Sequence, residues 1–101
     1  MKYKVIAIFK LQPNKADEEI ERCKSSGNLL NILKAFPGFI SYEVVKISDE
    51  STMTIQTWET GEHFQSAISK AMMSQSEKNQ ARENLVVSYQ SHSGEIVLTN
   101  L

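Results

Sequence analysis

The sequence predicts an α+β fold with the element order βαββαβ, and three observations carry that prediction. Two strand-like runs, Phe39 to Ile47 and Thr52 to Glu59, stand one turn apart. A helical apolar stripe precedes the first run and another follows the second. β-rich segments open and close the chain.

Tyr3 to Leu11 is rich in β-branched and aromatic residues and stops before Pro13, which makes it strand one. Asn14 is the expected cap of the first helix, with Asp17 three residues on. Glu18 and Glu19 suit a first turn, where the helix dipole favours negative charge. Ala16, Ile20 and Cys23 fall on one face. Ser25-Ser26-Gly27-Asn28 interrupts, and Leu29, Leu30, Ile32, Leu33 and Phe36 resume the stripe up to Pro37-Gly38. Propensity leaves one bent helix and two short ones both open.

Phe39 to Ile47 is strand two, Asp49-Glu50-Ser51 the turn and Thr52 to Glu59 strand three. So short a connection predicts an antiparallel hairpin. Thr60 caps the next helix, whose stripe is Phe64, Ala67, Ile68, Ala71 and Met72. Ser74 to Asn84 is polar and helical in pattern, with Ala81, Leu85 and Tyr89 at spacings of four. His92-Ser93-Gly94 breaks it, and Glu95 to Leu101 is the last strand. The order is that of the ferredoxin-like fold, in one domain spanning residues 1–101.

A lone sheet of this type covers one face with helices and leaves the other to water, so its strands should alternate. Val5 to Phe9 is continuous, and strand two carries Phe39, Ile40, Tyr42, Val44, Val45 and Ile47. Such runs predict burial on both faces, and hence a homodimer with sheets packed face to face.

Composition excludes several classes. With a net charge of −1 the chain has no field to hold nucleic acid or an anionic membrane. RNA-recognition domains share the order but need aromatics in a basic third strand, and Thr52 to Thr57 has neither. Two histidines, one cysteine and no clustered carboxylates give no metal-ligand spacing. The scattered glycines make no phosphate loop. A single cysteine allows no internal disulfide, which fits a reducing cytoplasm. The opening apolar run is too short to span a membrane.

Phe36-Pro37-Gly38-Phe39 before strand two, and Trp58-Glu59-Thr60-Gly61-Glu62-His63-Phe64 after strand three, resemble the antibiotic biosynthesis monooxygenase family. The resemblance runs from Lys4 to Met72. It implies a ferredoxin-like protomer, a dimeric α/β barrel and a pocket between sheet and helices. It also implies cofactor-independent oxygenation of a small aromatic, a phenol or quinol. The alternative on the same fold is a non-enzymatic small-ligand binding or signalling module. The family's haem-degrading branch ligates iron through a histidine further along the helix, where this chain has Ile68, and uses an asparagine on strand one, where it has Ile6 to Phe9. In the phenol-oxidising branch a pocket asparagine stands near the place of Thr54. No cofactor is expected.

Trp58 shares a strand face with Thr52, Thr54 and Gln56, since side chains alternate. Its indole offers a flat apolar surface for an aromatic ligand, or seals the core. Thr54, Gln56 and Tyr42 are the candidates to bind ligand oxygens. His63 is the candidate proton acceptor, although exposure and a structural task are the blander reading. Tyr3 is a second hydroxyl on a strand, and His92 is placed in a loop. Cys23 reads as a small buried hydrophobe, and Met72 and Met73 as an adaptable wall or as core.

Overall fold

The computed structural model describes residues 1–73 and 85–100. The elements run β1 (Tyr3–Leu11), α1 (Ala16–Cys23), α2 (Leu29–Leu33), β2 (Phe39–Ser48), β3 (Ser51–Trp58), α3 (Gly61–Met73) and β4 (Val86–Glu95). The sheet order is β2-β3-β1-β4, and each neighbouring pair is antiparallel. β1 and β2 are therefore parallel with β3 between them, which is the split βαβ arrangement of a ferredoxin-like protomer.

The serine-glycine interruption separates two helices. The Asn28 side chain caps the second by accepting the Leu30 amide at 3.0 Å. The first begins differently from expectation. Asn14 has a φ of 61°, a left-handed conformation that asparagine tolerates, so it cannot serve as the extended N-cap. Lys15 takes that position without a side-chain bond. The Ala16 amide is instead satisfied by the Asp49 carbonyl at 3.1 Å, in the turn between β2 and β3.

Side-chain bonds set α1 along the sheet. Near its start, Asp17 accepts from Lys46 Nζ at 3.0 Å. At its end, Asn31 Nδ2 donates to the Cys23 carbonyl at 2.9 Å, and Tyr42 donates to Asn31 Oδ1 at 2.7 Å. Lys46 pairs with Thr52 and Tyr42 with Gln56 across the hairpin. These bonds hold α1 over the β2–β3 hairpin, with its start beside the turn.

Two apolar clusters fill the space beneath the helices. The larger joins Val5 and Trp58 of the sheet to Leu33, Ala67 and Ala71 of α2 and α3. The smaller joins Phe9 and Leu11 to Ala16. On the opposite face, register places Ile6 against Ile55 and Ile8 against Met53. Val45 also faces Met53 there, and Ile8 and Val45 are each 37% exposed.

The last strand corrects the sequence reading. It is Val86–Glu95 rather than Glu95–Leu101, so Tyr89 and His92 lie in a strand, not in a helix and a loop. The four-residue spacing of Leu85 and Tyr89 imitates a helix, but pairing with β1 overrides it: Phe9 opposes Tyr89 with ring centroids 5.8 Å apart, and Ile6 opposes His92. An edge strand with one free side accommodates the serines and Gly94 of this segment. The helix expected from Ser74 to Asn84 lies outside the described residues, as do the side chains of Met72 and Met73. No helix among the described residues is long and apolar enough to cross a membrane.

Candidate functional site

Strict alternation along β3 sends Thr52, Thr54, Gln56 and Trp58 to the helix-covered face, and all four are buried. Three of them are polar, which is unusual for the central region of a sheet face. At 3.3 Å per residue the stripe runs about 20 Å from Thr52 to Trp58.

The Trp58 end is aromatic and closed. Trp58 has no exposed surface. Phe39, its partner in register on β2, stands edge-on at 5.3 Å, and Phe64 of α3 meets it at 5.8 Å. Its indole N–H donates to Gln56 Oε1 at 3.0 Å, so its one donor is already used. Tyr3, the register partner on β1, stacks on Phe64 at 6.1 Å and donates to Ser93 Oγ at 2.9 Å.

Tyr42 stands opposite Gln56, so the structure gathers Thr54, Gln56, Trp58 and Tyr42 on one face. The Tyr42 proton goes to Asn31, which leaves its oxygen as an acceptor. His63 is held apart from this group. Thr60 Oγ1 accepts the His63 amide at 3.1 Å, capping α3, and lies 2.8 Å from Nδ1. The His63 ring also rests against Gly38, where an added Cβ would clash with the imidazole. Gly38 has a φ of 85° and belongs to the turn that starts β2. His63 therefore ties the start of α3 to that turn.

One buried group escaped the sequence reading. Glu19 is 3% exposed and shares the inward face of α1 with Ala16 and Cys23. The spacing of three from Ala16 and four from Cys23 was its signal, masked by neighbouring Ile20. Arg22 grips its carboxylate with Nε donating to Oε2 at 2.9 Å and Nη2 donating to Oε1. That hydrogen bond raises the Arg22 guanidinium above its ordinary value, while burial pulls it the other way. Cys23 Sγ donates to Oε1 at 3.7 Å. Among the described residues, no group of three His, Cys, Asp or Glu could hold a metal ion.

The fold is similar to that of solved structures that include proteins assigned as antibiotic biosynthesis monooxygenases. SnoaB of Streptomyces nogalater, described as a cofactor-independent oxygenase, superposes with a TM-score of 0.74 at 16% identity, covering 97% of this chain and 95% of that one. A Bacillus cereus protein provisionally assigned as an antibiotic biosynthesis monooxygenase gives 0.69 at 18%, covering 99% and 97%. A Nitrosomonas europaea protein of unknown function gives 0.68 at 14%, covering 99% and 93%. The sequence matches no family model and no curated protein. At these identities the likeness concerns the fold.

Proposed function

We propose that the chain is a cofactor-independent monooxygenase acting on a small aromatic quinol or phenol bound between the sheet and the helices. The observation that carries this reading is the buried stripe Thr54–Gln56–Trp58, polar at one end and aromatic at the other, with Tyr42 beside it. Such a stripe can orient a flat ring by its face and its oxygens by hydrogen bonds. SnoaB, of the same fold, is described as a cofactor-independent oxygenase.

In the proposed reaction the deprotonated substrate is its own reductant. Naphthohydroquinone, a probe of this class, would react with dioxygen to give hydroxynaphthoquinone and water. One oxygen atom enters the ring, the other leaves as water, and the substrate supplies all the electrons. The protein contributes orientation and exclusion of water. His63 was the candidate base. With its Nδ1 beside Thr60 and its ring against Gly38, it suits a structural task better.

The same pairing supports a second reading, a binding module without catalysis. Trp58, Tyr42 and His63 all have partners already, and among the described residues no other histidine stands near that end of the stripe. Oxygen uptake above the spontaneous rate, in air-saturated naphthohydroquinone and related quinols, separates the two. Uptake that falls in Trp58→Phe and survives in His63→Ala supports an oxygenase governed by pocket shape. Ligand binding without uptake supports the module.

The working unit in this proposal is a homodimer. Ile6, Ile8, Val45, Met53 and Ile55 form the apolar centre of the open sheet face, and a second copy would cover it. A clean monomer in sedimentation at micromolar concentration would exclude it.

A further inference from the structure

The open sheet face carries charges that its apolar centre does not explain. Register lines its side chains up in rows across the strands. One row is Ser41, Thr57, Lys4 and Gly94, and the next is Glu43, Ile55, Ile6 and His92. Val45, Met53, Ile8 and Gln90 follow, then Ser51, Lys10 and Ser88. The titratable groups in these rows are Lys4 and Lys10 of β1, Glu43 of β2 and His92 of β4, and β3 brings none. None of them forms an ion pair among the described residues. Glu43 and His92, both exposed, close the two ends of one row. At about 4.8 Å between strands they stand about 14 Å apart within a copy, beyond the reach of an ion pair.

We propose that a second copy packs on this face with the two-fold axis along the strands between β3 and β1, so that Glu43 of each copy pairs with the partner's His92 and association is tighter in weak acid. It rests on the homodimer proposed above, and goes further by fixing how the copies face each other and what regulates their union. This axis lays β2 over the partner's β4 and keeps each row on its own counterpart. Ile55 meets the partner's Ile6 and Met53 the partner's Ile8. Lys4 meets the partner's Thr57 and Lys10 the partner's Ser51, so no like charges face each other. Aligned sheets cross at about 30°, an offset at the outer strands that a glutamate side chain spans. An axis across the strands lays β2 over β2 instead. Passing through the row of Glu43, it opposes two carboxylates. Passing between that row and the next, it sets Glu43 on the partner's Val45, a desolvated charge without a partner. Histidine changes charge between about pH 5 and 8, a range in which a carboxylate stays charged. The pair is complete at the acid end, and its contribution is lost as rising pH takes the proton from His92. Lys4, diagonal to His92 on β1, acts on it in a free copy and in a pair alike.

Sedimentation equilibrium of the full chain at about pH 5.5 and about pH 8 tests the pairing. The dimer should dissociate with a constant about tenfold lower at the acid pH, because two-fold symmetry forms the pair twice. Glu43→Gln and His92→Gln should keep the wild-type circular dichroism and each erase the pH dependence. Glu43→Lys should reverse it, since two cations then meet in acid. A short bis-maleimide reads the orientation in a Cys23→Ala background. Mixed Glu43→Cys and His92→Cys chains should cross-link to each other, and neither variant to itself. Equal affinity at both pH values, pH dependence that survives in both glutamine variants, or self-linking of Glu43→Cys overturns the proposal and leaves the homodimer standing. A monomer at both pH values overturns both.

Discussion

The two ends of β3 share a strand, a face and a degree of burial, yet they are built in opposite ways. At the Trp58 end the indole is enclosed by Phe39, Phe64, Val5 and Leu33, and its one donor is satisfied by Gln56. At the Thr52 end the smaller cluster of Phe9, Leu11 and Ala16 lies beside buried Thr52 and Thr54, and one hydroxyl has no partner among the described residues. A core under selection for stability alone would not leave polar groups there, because apolar residues of the same shape cost nothing to desolvate. The contrast teaches that one strand face can carry dense aromatic packing at one end and buried polar groups along the rest.

The largest effect should come from the closed end. Trp58→Ala removes the centre of the main cluster and should cost about 3–5 kcal/mol, as for large core aromatics. Thermal unfolding followed by circular dichroism measures it, and a loss below 1 kcal/mol would break the comparison.

Next stands the turn that supports this end. Gly38→Ala should cost about 2–4 kcal/mol, because it combines a left-handed backbone with a Cβ set against His63. Adding His63→Ala relieves the clash but not the backbone strain, so the double variant should melt between Gly38→Ala and wild type. Full recovery would show that the backbone carries no strain.

Smaller effects sharpen the polar end. Arg22→Met leaves the Glu19 carboxylate buried without its partner and should cost about 1–3 kcal/mol. Thr52→Val should raise stability by about 1 kcal/mol, since it removes an unsatisfied hydroxyl. Loss of stability in Thr52→Val would mean that the hydroxyl already has a structural use. Lys46→Met, on the exposed pair with Asp17, should leave the melting temperature unchanged within scatter.

Much of this architecture was legible in the residues. β-branched and aromatic runs bounded by turn residues revealed β1 and the β2–β3 hairpin, and a helical stripe revealed α3. Trp58, Thr54 and Gln56 followed from alternation along β3, and Tyr42 came to the same face through register. β4 was not legible, because a serine-rich edge strand has little pattern of its own and is defined by pairing with β1. Glu19 was missed because an acidic residue in a first turn normally faces solvent, and only packing against the sheet reveals its burial. A structural task for His63 was one of the readings of the sequence, but its partners Gly38 and Thr60, distant from each other in sequence, meet around its ring only in the fold.

The most direct test of the oxygenase reading is the fate of labelled dioxygen. Naphthohydroquinone and related quinols, incubated with the protein under isotopically labelled gas, should yield hydroxylated quinone carrying one labelled oxygen, with the other in water. Trp58 quenching would report that the same quinols bind. Quenching with no label in any product, or uptake that yields only unlabelled quinone and hydrogen peroxide, would contradict the monooxygenase and leave a binding module.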